Sequence, residues 1–195
     1  MEYLKRLESK WGKFEKSEFY YTSCLLNECP NYLHVIYYPV HDYEQKIAKD
    51  EELLNATLSP ELKEIYKVCN GFMAFNESLF IYGLDGEYQG KYKPSLIFRN
   101  NMIFKLSYLP KDCKEYILFG EYSQWLFCYE KDDFSKVYSV DKYTGNILHI
   151  FNTIKDLINY YFDYLIDEYD INGKKIHKFD LTKGTFMEEI SLEEI

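Results

Sequence analysis

The stretch Leu58-Ser59-Pro60-Glu61-Leu62-Lys63-Glu64-Ile65-Tyr66-Lys67-Val68-Cys69-Asn70-Gly71-Phe72 decides the fold class. Ser59 stands where a helix N-cap is wanted, with a hydroxyl to satisfy one of the first orphaned amides. Pro60 follows at the first helical position, where a missing N–H costs nothing, and Glu61 sets a carboxylate against the positive end of the helix dipole. Leu62, Ile65, Tyr66 and Cys69 recur at three- and four-residue spacing and form one apolar stripe. Asn70-Gly71 then offers the left-handed backbone that stops a helix. The spacing predicts a helix over residues 60–69.

Working outward, residues 80–82 read as a strand ended by Gly83 and the Asp85-Gly86 turn. Upstream, residues 43–56 are rich in helix formers, and residues 19–26 and 32–40 are aromatic and β-branched, as strands are. Leu4, Leu7, Trp11 and Phe14 recur at helical spacing, so the chain opens on a short amphipathic helix. Residues 87–113 give no clear pattern. Downstream, residues 116–120, 124–130, 136–140 and 147–151 read as strands about ten residues apart, which predicts an antiparallel meander. Thr153 and Asp156 cap a further helix, with Ile154, Leu157, Ile158, Tyr161, Phe162 and Leu165 on its buried face. Asn172-Gly173 marks a hairpin turn, and the tail from Met187 to Ile195 reads as a short acidic amphipathic helix.

At 195 residues the chain fits one domain with a real core. Its aromatic content, 21 Tyr and 14 Phe, suits a pleated, half-buried surface. The expected fold is therefore α+β: a bent, mostly antiparallel sheet with helices packed on one side. Net charge is −9, and the first sixteen residues hold a surplus of two positive charges, so residues 17–195 carry −11. Such a surface repels phosphate backbones and argues against nucleic acid. A basic protein partner is favoured, because opposite fields speed encounter. The first residues are charged throughout and hold no apolar run, so a cytoplasmic protein with no membrane segment is expected.

Motifs that carry catalysis do not emerge. Cys24, Cys29, Cys69, Cys113 and Cys128 are odd in number and scattered, which fits reduced thiols. Cys24 and Cys29 have no second pair, and His34, His41, His149 and His177 lie far apart, so no metal is expected. Gly83, Gly86 and Gly90 miss the dinucleotide spacing, and Lys183-Gly184-Thr185 lacks the upstream glycine of a phosphate loop, so no cofactor is expected either. Ser123 has no flanking glycines for a nucleophile elbow. Carboxylate runs such as Asp50-Glu51-Glu52 read as solvated element ends. A non-enzymatic protein is the expectation.

The order of these elements resembles the SUKH superfamily. Leu58 to Tyr66, ended by Cys69-Asn70-Gly71-Phe72, is similar to that family's central helix and its Asn-Gly stop. Leu79-Phe80-Ile81-Tyr82-Gly83 matches the aromatic strand that follows, and Phe119-Gly120 through Cys128-Tyr129 matches a later strand pair. Ser135 to Asp141 and Phe151 to Ile158 match the last strand and the closing helix. Ser59 replaces the family's usual proline, and no glycine precedes Val137. The resemblance covers residues 42–166; residues 1–41 and 167–195 lie outside it, as decorations or as part of a partner surface.

What the resemblance implies is a protein that binds other proteins: a bacterial immunity protein neutralising a basic toxin such as a nuclease, or else a regulatory scaffold for signalling or cell-wall-synthesis proteins. An enzyme with a pocket under the sheet is a third alternative. For the immunity reading, the contact residues expected from the sequence are Tyr122, Trp125 and Tyr129 as aromatic anchors filling pockets. Glu121, Glu130, Asp132 and Asp133 would meet basic residues.

Overall fold

The computed structural model describes residues 2–16, 23–26, 33–84, 95–103, 116–176, 178–180 and 185–187. Nine strands form one open antiparallel sheet: β1 (Phe14–Lys16), β2 (Ser23–Leu26), β3 (Val35–Tyr37), β4 (Phe72–Ala74), β5 (Leu79–Ile81), β6 (Tyr116–Tyr122), β7 (Trp125–Glu130), β8 (Val137–Asp141) and β9 (Ile147–Phe151). Their order across the sheet is their order along the chain, so each strand pairs with the one before it. The helices α1 (Glu2–Trp11), α2 (Tyr43–Leu54), α3 (Pro60–Val68), α4 (Leu96–Ile103) and α5 (Ile154–Leu165) pack on one side. A separate hairpin joins β10 (Lys178–Asp180) to β11 (Thr185–Met187). The α+β expectation holds.

Most of these elements follow local chemistry. The Ser59 hydroxyl accepts the Leu62 N–H at 3.2 Å, and Thr153 caps α5 through the Asp156 N–H at 2.9 Å. Leu62, Ile65 and Tyr66 of α3 are buried, as are all six residues expected on the inner face of α5. Gly71 has φ +78°, the left-handed stop expected of it. Immediately after it runs β4, which the sequence reading left out. The acidic tail helix expected from Met187 onward falls beyond the described residues, except that Met187 itself ends β11.

Two regions differ from expectation for tertiary reasons. The described part of residues 1–41 shares the sheet and the core: β1 to β3 continue the same sheet, and Tyr3, Leu7, Trp11, Leu33 and Ile36 join the same core as α3 and α5. From α1, Lys10 Nζ donates to the carbonyls of Ile166 and Tyr169, and Arg6 meets Asp163 at 2.6 Å. On the far side of the resemblance, Tyr169 is buried and donates its hydroxyl to the Phe75 carbonyl at 3.1 Å.

The second difference is α4, in the stretch without a pattern. Its closest tie to the sheet is a side chain: buried Asn100 donates to the Leu118 carbonyl at 2.9 Å and accepts the Leu118 N–H at 3.0 Å. An amide thus completes the β6 ladder beside the bulge between Leu118 and Gly120. Nothing in a helical or strand period signals this.

One buried group ties stability to pH. His34 packs against Trp11 and Phe75, accepts the Phe75 N–H on Nδ1 at 3.3 Å, and leaves Nε2 without a partner among the described residues. Burial, and then the nearby charge of Lys10, lower its pKa to about 3. The folded state therefore holds His34 neutral while the unfolded chain takes up a proton near 6.5. Stability from this group is complete above pH 6.5 and is lost as pH falls. Between pH 7 and 4.5 the loss should reach about 2–3 kcal/mol. Urea melts at the two pH values check this: His34→Asn, which keeps an acceptor but does not titrate, should flatten the dependence. An equal slope in both proteins would contradict it.

Candidate partner-binding surface

The seven residues expected to contact a partner divide by burial. Tyr122, Trp125 and Tyr129 lie in the core, none more than 8% exposed, and are not surface anchors. The reason is that β7 is an inner strand, paired on both edges, with a helix layer over the face its odd-numbered residues share. Tyr122 and Phe127 pack on Tyr161 of α5, with ring centroids 5.2 and 4.7 Å apart, and Tyr129 packs on Phe119 and Phe134. Glu121 also departs from expectation: its carboxylate meets Arg99 of α4 at 2.9 Å, so its counterion comes from within the chain.

The acidic turn after β7 is different. Glu130 is half-buried and accepts the Tyr138 hydroxyl at 3.1 Å; burial and that bond push the Tyr138 phenol up to about 12. Asp132, at φ +60°, and Asp133 are exposed. The Asp133 carboxylate accepts the Ser135 N–H at 2.8 Å, and that bond holds it below the usual carboxylate range. The turn is thus a shaped loop with two carboxylates in solvent, tied down by Lys131 Nζ on the Leu54 carbonyl at 3.2 Å.

Beside this turn the structure opens a cleft of about 230 Å³ that sequence reasoning missed. Its walls are the starts of two helices, Ser59 to Glu61 of α3 and Asn152 to Ile154 of α5; its floor is Tyr129, Phe134 and Val137. The two helix ends are stitched together, because Glu61 Oε2 accepts the Ile154 N–H at 2.6 Å. That bond satisfies an orphaned amide of α5 and neutralises part of the positive potential of both dipoles. Tyr129 closes the floor by accepting the Ser59 N–H at 3.2 Å; burial is the main cause of the raised pKa of its phenol, and the carboxylates of Glu51 and Asp132 add to it. The two capping signals at Ser59 and Thr153 were legible, but their convergence depends on the sheet between them.

The cleft is mostly apolar, with Glu61 as its one lining carboxylate, and Phe134 joins it to the acidic turn. That arrangement suits an apolar side chain of a partner whose surrounding surface is basic. It offers no general base set against a nucleophile, and among the described residues no group of three or more His, Cys, Asp or Glu is placed to hold a metal. No described helix is long and apolar enough to cross a membrane. Comparison with known proteins returned no matching family model and no matching curated protein.

Proposed function

We propose that the protein is a non-enzymatic binding domain of the SUKH immunity type, which neutralises a basic toxin domain in the cytoplasm by covering it. The single observation that carries this reading is the pair of exposed carboxylates, Asp132 and Asp133, on a tied-down turn beside an apolar cleft. Encounter is steered by the acidic surface of a chain with net charge −9, and the docked state is held by an apolar anchor of the toxin in the cleft. The order of α3, the Asn70-Gly71 stop and the strands that follow supports the family resemblance in the same sense.

The test uses a basic toxin domain, sought among the products of the genes beside this one. Asp132→Lys with Asp133→Lys should slow its association at least roughly tenfold at low salt, where screening reaches about 30 Å, and flatten the salt dependence. The dissociation rate should change little, because rim charges act on encounter. Both side chains are exposed, but Asp132 holds φ +60° and Asp133 accepts the Ser135 N–H, so stability should fall by about 1 kcal/mol while the fold persists, which circular dichroism checks. Stopped-flow kinetics at two ionic strengths decide the matter: unchanged association at low salt would remove this turn from the interface. No binding, together with no rescue of growth when the two genes are expressed together, would sink the immunity reading itself.

A further inference from the structure

The two edges of the large sheet are built differently. The β1 edge is three residues long and carries Glu15 and Lys16, the usual protection against stray pairing. The β9 edge has five residues, Ile147-Leu148-His149-Ile150-Phe151, and is the last strand of the sheet among the described residues. It carries no charge against a second strand, and its one irregularity is a bulge at Leu148. From Tyr143 to Ile154 the sequence holds no Asp, Glu, Lys or Arg, in a chain of which 28% is charged.

The side chains of this edge divide by face. His149 and Phe151 oppose Ser139 and Val137, and both pack on Tyr160 of α5. Ile147 and Ile150 oppose Val140 and Tyr138 on the face turned away from α5, with Ile150 59% and Ile147 49% exposed. Leu148, the bulged residue between them, is 38% exposed. Three large aliphatic side chains thus stand in solvent within four residues, along a backbone edge free of formal charge.

We propose that β9 pairs antiparallel with β9 of a second copy of this chain, joining two sheets across a two-fold axis. The choice of occupant follows from charge. The uncharged window runs from Tyr143 to Ile154, so pairing about His149 sets uncharged positions against uncharged positions along β9. Leu148 of one copy then stands opposite Ile150 of the other, and the junction is isologous, as a two-fold contact must be. For two molecules that each carry −9, this edge is where close approach costs least. Backbone bonds along the edge supply affinity, as in other strand additions.

Sedimentation velocity of the full chain from micromolar to millimolar concentration tests it, with amide exchange of residues 147–151 at both limits. The wild type should shift from monomer to dimer, with slower exchange along β9 in the dimer. Ile150→Lys puts a cation at an exposed site, so the fold should survive, and association should weaken at least roughly tenfold, because each cation is set against Leu148 of the other copy and diagonal to the second cation. Leu148→Lys should act in the same way. A wild type that stays monomeric at millimolar concentration overturns the proposal, and so does a dimer that both substitutions leave intact.

Discussion

Gly71→Ala is expected to cost about 2–5 kcal/mol, enough to unfold much of the population of a marginally stable domain. Two effects combine. The φ of +78° is one that a side chain adopts only at a cost of about 1–2 kcal/mol. In addition, a Cβ at this position would sit 2.4 Å from the Ile81 carbonyl oxygen and 2.8 Å from the Gly83 nitrogen. Both are backbone atoms at the end of β5, so no side chain can swing away, and overpacking of this kind costs a further ~1–3 kcal/mol. The residue is also fixed from its other side. Its carbonyl accepts the Tyr37 N–H at 3.2 Å, the Asn70 N–H donates to the Tyr37 carbonyl at 2.9 Å, and the Asn70 side chain accepts the Leu84 N–H at 2.7 Å. Urea unfolding should show a lower midpoint with an unchanged slope. A loss below about 1 kcal/mol would mean that the β4–β5 region yields more easily than its hydrogen bonds suggest.

Trp11→Ala should cost about 3–5 kcal/mol, the range for removing a fully buried aromatic. Trp11 is wholly buried at the end of α1, stacks on His34 with ring centroids 4.7 Å apart, and donates its indole N–H to the Asp170 carbonyl at 3.3 Å. Its loss leaves a cavity between the first helix and the segment after α5, and strips an acceptor of its partner. Two readouts separate a core role from an appended one. A single cooperative transition at lower denaturant, followed by both far-UV circular dichroism and tryptophan fluorescence of the remaining Trp125, places α1 inside the folding unit. A cost under about 1 kcal/mol, or an early separate transition, would make α1 a dispensable addition.

Legibility in the sequence tracked how local the cause was. α3 and α5 were readable because cap, stripe and stop all lie within one helix, at Ser59 to Gly71 and at Thr153 to Leu165. The β6–β9 meander was readable from strand spacing, since each partner is the next segment along. By contrast, α4 depends on Asn100 finding the Leu118 backbone eighteen residues away, and β4 on Tyr37 receiving the Asn70–Gly71 peptide groups. The site was only half legible for a related reason. Charges on the β7–β8 turn could be read directly, but whether Tyr122, Trp125 and Tyr129 face solvent or helix depends on which strands flank β7 and which face α5 covers. The cleft between the starts of α3 and α5 is purely a product of three-dimensional arrangement, joined by a bond from Glu61 to Ile154 across 93 residues.

The clamp between α1 and the end of α5 has a consequence for synthesis on the ribosome. Lys10 and Trp11 leave the exit tunnel well before their acceptors, because the carbonyls that receive them belong to residues 156–159 positions later. Each strand of the sheet, in contrast, can zip onto its predecessor soon after it emerges, because every sheet partner is the preceding strand. Assembly of the sheet therefore runs ahead, while the apolar stripe of Tyr3, Leu7 and Trp11 waits for nearly the whole chain. For those seconds, at ~5–20 residues per second, α1 is an exposed amphipathic segment of the kind that holding chaperones shield, and emergence of Asp170 is the event that releases it to dock.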